Sequence, residues 1–202
     1  MRLLLPSMML VAVFAAGCGG VRYPKTYTLD LPPASAAPAR SAALGALAVR
    51  DFSCPDYLCD GRIVYRPTRT EVGYYEYDRW AMTLRRMITD SIAGHLRTGG
   101  VFASVESGKA AAGVPYVLTG AIERLEEVDD GRDVEAAVQL SAQLVDTRTL
   151  QTIWRYSATA SEPVTKRDVS GVVVSLSAAA RRAIDALVAS LEATLPNVNV
   201  EK

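Results

Sequence analysis

Two cysteines, Cys54 and Cys59, are separated by four residues in a segment that also contains Pro55 and Gly61. Redox-active pairs are typically two residues apart, so this spacing argues against a thiol–disulfide exchange centre. A metal site would need further ligands, and the only histidine, His95, falls in a predicted helix, where packing or a surface position explains it. In an oxidising compartment, a disulfide that closes this short loop is the favoured interpretation.

Other residue types that could do acid–base or nucleophilic chemistry do not form a recognisable group. Serine, aspartate and His95 show no triad-like arrangement. The adjacent carboxylates Glu126-Glu127 and Asp129-Asp130 fall at a predicted strand end and turn, where solvation explains them. The sequence therefore predicts no catalytic residues, no metal site and no cofactor, and an enzyme is the least favoured of three functional classes.

The N-terminus carries a processing signal. Arg2 precedes an apolar run over residues 3–16, and Ala15-Ala16-Gly17-Cys18 places small residues directly before a cysteine, which is similar to a bacterial lipoprotein signal. The similarity implies removal of residues 1–17 and acylation of Cys18, and Gly19 in place of aspartate implies transfer to the outer membrane. The alternatives are an ordinary secretory signal with Cys18 left as a free thiol, or a transmembrane anchor, for which about 20 apolar residues would be needed.

Composition limits the remaining possibilities. The 202 residues include 22 basic and 22 acidic side chains that are interspersed, so no nucleic-acid partner is predicted. Prolines, alanines and serines over residues 18–43 indicate a lipidated tether, within which residues 27–31 could dock as an edge strand. Residues 44–202 then form one folded domain.

The centre of the folded domain is a pair of aromatic strands followed by a helix. Strands are predicted over residues 62–66 and 71–77, from their β-branched and aromatic content. Asp78 is the predicted N-cap of the helix, and Gly99-Gly100 is its stop. The apolar face of the helix is predicted to contain Trp80, Leu84, Met87, Ile88, Ile92 and Leu96.

The rest of the domain is predicted to be a one-sided sheet and a second helix. Strands are expected over residues 44–52, 101–105, 116–128, 134–144 and 150–159, the last three as an antiparallel meander with one wet face. A second long helix begins near Asp168 and ends at Pro196. The predicted fold class is α+β, a two-layer sandwich in which a mixed, mainly antiparallel sheet carries both long helices on one face.

Several stretches together resemble the ABC-type transport auxiliary lipoprotein family. They are the lipobox and residues 27–29, 44–52, 62–65, 74–81 and 144–146. The most specific is 74–81, where the resemblance implies that an aromatic strand passes into a helix beginning Arg-Trp-Ala. The paired cysteines lie outside the resemblance.

This resemblance implies a part in intermembrane lipid transport. Such systems combine an ABC-type permease and ATPase with an MCE-domain protein that bridges the periplasm. The lipoprotein would be a non-catalytic adaptor, anchored by its lipid at the periplasmic face of the outer membrane and assembled as a homo-oligomer. The alternative is an outer-membrane assembly or scaffolding lipoprotein of another envelope machine, and neighbouring genes would distinguish the two.

The aromatic strands also suggest a contact surface. Tyrosine and tryptophan are favoured at protein interfaces and membrane boundaries. The hypothesis is that a partner or a second subunit binds some of Arg66, Arg69, Tyr74, Tyr75 and Tyr77. The alternative is that these are ordinary core and rim residues.

Overall fold

A computed structural model describes residues 23–33, 44–108, 113–129 and 131–195. The predicted signal peptide over residues 1–17, the predicted lipidation site Cys18 and residues 34–43 of the predicted tether lie outside these ranges. Among the described residues, no helix combines the length and the apolar character needed to cross a bilayer.

The described residues form one eight-stranded mixed sheet and three helices, which confirms the predicted fold class. The strands are β1 Lys25–Tyr27, β2 Leu44–Val49, β3 Arg62–Arg66, β4 Gly73–Trp80, β5 Phe102–Ser107, β6 Tyr116–Asp129, β7 Val134–Asp146 and β8 Gln151–Pro163. The helices are α1 Asp56–Cys59, α2 Leu84–Gly99 and α3 Val169–Thr194.

Strand β6 is the central element of the sheet. One edge pairs along its whole length with β7, antiparallel, and β7 pairs in turn with β8. The other edge is divided, since the beginning of β6 pairs with β2 and its end pairs with β3, both parallel. Strand β5 extends the sheet beyond β2, and β4 and then β1 extend it beyond β3.

The strands β6, β7 and β8 have one apolar face and one face that is exposed to solvent. Along β7 the buried residues Ala136, Val138, Leu140, Ala142 and Leu144 alternate with less buried ones, as the period of two requires. Helix α3 packs on this apolar face, and α2 packs beside α3 and against β5. The core therefore lies between the sheet and the two long helices, and the predicted meander is confirmed.

The junction between β4 and α2 differs from the prediction. Asp78 does not cap the helix, and Trp80 is not in it, because β4 continues to Trp80. Pairing of β1 with β4 keeps these residues extended, with Tyr27 opposite Trp80. Helix α2 begins after Thr83, whose side chain accepts a hydrogen bond from the Arg86 backbone N–H at 3.4 Å. Trp80 is nevertheless buried, as predicted.

Part of the predicted tether contacts the fold. Strand β1 pairs with β4 in parallel, slightly before the stretch 27–31 that was expected to dock. Leu29 is buried, and its backbone N–H lies 3.5 Å from Met87 Sδ of α2. The Asp30 N–H donates to Ser177 Oγ of α3 at 3.0 Å. Residues 25–30 are thus held against the sheet edge and both long helices.

The cysteine loop contains the short helix α1, which the sequence did not predict. Cys54 and Cys59 are bonded in the structure, and their Cα atoms are 6.2 Å apart. Leu58 of α1 is fully buried, so this single turn is fixed to the core as well as closed by the cysteines. Tyr57 of α1 lies beside the Arg66 guanidinium of β3.

Candidate functional site

Two buried glutamates near the end of β6 organise the candidate site. Glu126 is 0% exposed and Glu127 is 9% exposed, so the expectation that solvation explains this pair is wrong. The reason is that β6 continues to Asp129 and is paired there on both sides, with β7 and with β3. Because adjacent residues of a strand point to opposite faces, the two carboxylates have separate surroundings.

Glu126 is held by two arginines on the sheet face away from the long helices. Arg66 makes a two-point contact, from Nε to Oε1 at 2.9 Å and from Nη2 to Oε2 at 3.0 Å. Arg124 adds a third bond, from its Nε to Oε1 at 3.0 Å. Paired donors of this geometry satisfy a carboxylate that water cannot reach. Glu126 therefore fixes both guanidinium groups on the surface.

These arginines border an open groove of about 690 Å³, called here the arginine groove. Its lining residues are Arg66, Pro67, Thr68, Arg69, Arg124, Glu126, Val128 and Asp129. Arg69 is exposed, and its backbone carbonyl accepts a bond from Arg66 Nη1 at 3.4 Å. The groove combines three cationic side chains with two carboxylates, one of which is already satisfied by arginine. Its accessible charge favours an acidic neighbour.

Glu127 lies on the opposite face of the sheet. Its hydrogen-bond partner is a tyrosine, whereas the partners of Glu126 are arginines. The Tyr75 hydroxyl donates a short hydrogen bond to Glu127 Oε2. The Tyr65 and Tyr75 rings are 5.2 Å apart and tilted by 57°. Burial, the largest influence, raises the pKa of Glu127 above its ordinary value, and the bond from Tyr75 opposes this. Burial and the same bond raise the pKa of the Tyr75 phenol, which therefore remains a neutral donor.

Tyr75 also borders a second groove of about 350 Å³, called here the tyrosine groove. Its lining residues are Tyr23, Lys25, Tyr75, Glu76, Tyr77, Asp78 and Val169. Burial, followed by a hydrogen bond to Asp78, raises the pKa of the Tyr27 phenol next to it. Tyr74 is elsewhere on β4, where the Arg62 guanidinium lies 3.6 Å from its ring centre.

The structure thus divides the five residues of the predicted contact surface. Arg66 and Arg69 line the arginine groove, Tyr75 and Tyr77 line the tyrosine groove, and Tyr74 packs under Arg62. Arg66 and Tyr75 each bind a buried glutamate, so they contribute to the fold as well as to the surface. Glu126 and Glu127 were not among the predicted site residues. Their flanking residues gave a signal, because Leu125 and Val128 extend the strand pattern past both glutamates.

The arrangement of the described residues offers binding surfaces. Within the described ranges, no three His, Cys, Asp or Glu side chains converge as metal ligands. His95 is buried between helices, with Nδ1 at 2.8 Å from the Ser91 carbonyl and Nε2 at 3.4 Å from Asp185 Oδ1.

The fold is that of a small α+β domain built around a mixed sheet with its two long helices on one face. The model of the family described as "ABC-type transport auxiliary lipoprotein component" matches residues 27–190, and the chain belongs to this family. Membership of a lipoprotein family places the protein at a membrane of the cell envelope. The family description also makes it an auxiliary component of ABC-type transport. No curated protein matches the chain.

Solved structures show the same fold at low sequence identity. A crystal structure of a protein from Xanthomonas campestris is 21% identical, with a TM-score of 0.70, and the match covers 86% of this chain and 98% of that one. A second crystal structure, described only as an uncharacterized protein, is 15% identical with a TM-score of 0.65, covering 84% and 99%. A hypothetical protein of Chlamydia trachomatis is 11% identical with a TM-score of 0.53, covering 76% and 98%.

Proposed function

We propose that this protein is a non-catalytic adaptor of an ABC/MCE-type intermembrane lipid transport system. In this proposal acylated Cys18 anchors it at the periplasmic face of the outer membrane, where it receives an MCE-domain protein whose other end is served by an ABC-type permease and ATPase. The observation that carries the proposal is the family match over residues 27–190, which makes the chain an auxiliary lipoprotein of ABC-type transport.

Two further observations support an adaptor. The buried acidic groups of the site are bonded to arginine or tyrosine, so they stabilise a surface in place of activating a substrate. The signal-like sequence before Cys18 supports the lipid anchor, and Gly19 supports delivery to the outer membrane.

The proposed partner surface is the arginine groove. Arg69 is its exposed cation, whereas Arg66 is fixed by Glu126 and serves to shape the groove. An acidic segment of the partner would complement the accessible charge. Of the β4 tyrosines of the predicted contact surface, Tyr75 and Tyr77 line the tyrosine groove and Tyr74 packs under Arg62, so none of the three belongs to this partner surface. We further propose that several copies of the chain assemble, which the mass of the detergent-solubilised protein would test.

The decisive experiment is affinity purification of the full-length lipoprotein from detergent-solubilised envelopes, with mass spectrometry of co-purified proteins and lipids. An unrelated outer-membrane lipoprotein serves as the control bait. Specific recovery of an MCE-domain protein supports the proposal. Recovery of cell-wall or other envelope machinery without an MCE protein would instead establish a scaffolding lipoprotein and overturn the transport function.

A charge-reversal pair tests the surface in the same assay. Arg69→Glu is expected to reduce recovery of the partner about tenfold, the effect of roughly 1.4 kcal/mol of lost binding free energy. Arg85→Glu is the matched control, because Arg85 is also exposed but lies on α2. Equal recovery with both variants would remove the arginine groove as the partner site.

A further inference from the structure

The position of β1 in the sheet determines at which end of the domain the N-terminal segment begins. Strand β1 runs parallel to β4, with Lys25 opposite Asp78 and Tyr27 opposite Trp80. Strand β4 is antiparallel to β3, and β3 is parallel to β6. Residues that precede Lys25 therefore point toward the end of the sheet where β6 ends and β7 begins. The other end carries the turn between β7 and β8.

The segment between the predicted lipidation site Cys18 and the beginning of the described structure is short. Only four residues separate Cys18 from Tyr23, the first described residue. A fully extended chain spans at most about 3.6 Å per residue, so Tyr23 lies within about 18 Å of the Cys18 Cα atom. Strand β6 alone, with 14 residues, is about 45 Å long at 3.3 Å per residue. The anchor therefore reaches one end of the domain and not the other.

The surface at this end combines aromatic rings with a lysine and two carboxylates. Tyr23 is 79% exposed, and it shares the tyrosine groove with Tyr75, Tyr77, the exposed Lys25 and the acidic Glu76 and Asp78. Tyrosine is enriched where an apolar ring meets headgroups, and lysine extends its ammonium toward them.

We propose that the tyrosine groove, with Tyr23 and Lys25 at its rim, lies against the phospholipid headgroups of the membrane that holds Cys18. This proposal rests on the lipid anchor of the proposed function. The predicted tether of residues 18–43 would have allowed the domain to stand away from the bilayer. In this proposal only the four residues between Cys18 and Tyr23 separate the anchor from the domain, so one end of the sheet is held at the membrane.

Depth-dependent fluorescence quenching tests this orientation. Full-length lipidated protein is reconstituted into vesicles of phosphatidylethanolamine with a minority of phosphatidylglycerol, some of it spin-labelled near the headgroup. Tyr23→Trp is compared with Leu150→Trp, since Leu150 in the turn between β7 and β8 is equally exposed, at 81%. The two native tryptophans, Trp80 and Trp154, are buried and provide the background.

We expect the spin label to quench Tyr23→Trp at least twofold more than Leu150→Trp. Equal quenching, or stronger quenching of Leu150→Trp, would overturn the proposed orientation, as would a protein mass showing no lipid on Cys18. Circular dichroism confirms that both variants fold. Because the measurement uses vesicles without partner proteins, its result is independent of whether an MCE protein is recovered. Equal quenching would overturn the orientation alone, whereas a mass without lipid on Cys18 would overturn the anchor that both proposals share.

Discussion

Glu126 and Glu127 are neighbours in sequence and equally acidic, yet the two sheet faces on which they lie treat them differently. Glu126 meets the guanidinium groups of Arg66 and Arg124 and is paired as an ion. Glu127 meets the neutral hydroxyl of Tyr75, and burial raises its pKa. The glutamate on the face that is open to solvent is thus paired with cations, and the glutamate on the face that carries the helices is paired with an uncharged hydroxyl.

This difference follows from the cost of burying charge. A buried carboxylate is stable only if it is hydrogen-bonded and either paired with a cation or shifted toward its neutral form. On the sheet face away from the long helices, long arginine side chains reach Glu126 and still contact water. The exposed fraction of the side chain is 19% for Arg66 and 39% for Arg124. On the face that carries the helices, Tyr75 supplies the hydrogen-bond donor to Glu127, and Arg167 acts on this carboxylate only through its charge. The two grooves consequently differ in chemistry, one cationic and one aromatic.

Removing the ionic centre should have the largest effect. Glu126→Ala leaves two arginines without their shared partner, and we expect a loss of roughly 3 kcal/mol in the free energy of unfolding, at the lower end for a broken buried pair because both arginines reach water. Urea unfolding followed by circular dichroism measures it. The control Glu123→Ala removes an exposed carboxylate of the same strand that bonds only Ser141 Oγ at 2.6 Å, and should cost less than about 1 kcal/mol. Similar losses would show that Glu126 does not organise its face.

Opening the cysteine loop should have the next largest effect, on the same face. Closing so short a loop restricts the unfolded chain by about 2 kcal/mol, and the loop positions Tyr57 beside Arg66. We expect a reductant, or the double change Cys54→Ser with Cys59→Ser, to lower the free energy of unfolding by that amount. The double variant should be insensitive to reductant. A wild-type protein that is also insensitive, or whose mass shows two free thiols, would contradict the disulfide.

Much of the fold could be predicted because its signals are local. The alternation from Val134 onward and the apolar stripe of α2 each lie within one element, and both predict the observed structure. The parallel pairings of β1 with β4 and of β2 with β5 and β6 were not predicted, because they join distant segments with no shared turn. The misplaced helix start at Asp78 has the same cause, since pairing with β1 extends β4 by three residues past Tyr77.

The candidate site was predictable only in its residue types. The aromatic and arginine content of β3 and β4 indicated a surface, and the structure places Arg66 and Arg69 together in one groove. It also places Arg66 and Tyr75 on buried glutamates about 50 to 60 residues away in the chain, at separations of 60 and 52. No spacing rule links those pairs, because they depend on the parallel pairing of β3 with the end of β6. The sequence therefore indicated Arg66 and Tyr75, the partly exposed members of the two networks, and did not indicate their buried partners Glu126 and Glu127.

Loss of the tyrosine donor should be milder than loss of Glu126. Tyr75→Phe keeps the ring against Tyr65 and removes one hydrogen bond to Glu127, which we expect to cost about 1 to 2 kcal/mol in the free energy of unfolding. Tyr23→Phe, at an exposed position, should change it little and serves as the control. Both are measured by urea unfolding at neutral pH. A loss as large as that of Glu126→Ala would mean that the network of Tyr75 and Glu127 is not the weaker of the two.

The smallest change at neutral pH, and the sharpest distinction between the faces, should come from Glu127→Gln. The glutamine oxygen can still accept from Tyr75, so we expect a change below about 1 kcal/mol at pH 7. The pH dependence should differ more clearly. Because burial raises the pKa of Glu127 in the folded protein, the folded state binds a proton more readily than the unfolded state. The contribution of Glu127 to stability is then full below its ordinary pKa, near 4.5, and falls as pH rises through the folded-state value.

Glutamine has no such titration, so the stability of Glu127→Gln relative to wild type should increase as the pH is raised from 4 toward 8, in the window above the ordinary pKa of about 4.5. Unfolding free energies of both proteins at several pH values measure this difference. Glu123→Gln, at an exposed position, controls for the general effect of removing a carboxylate. A difference that stays constant with pH would show that the pKa of Glu127 is the same in the folded and unfolded protein, and a difference that falls with rising pH would show that the folded protein stabilises the carboxylate. In either case the contrast between the two faces of the sheet would be one of partners alone.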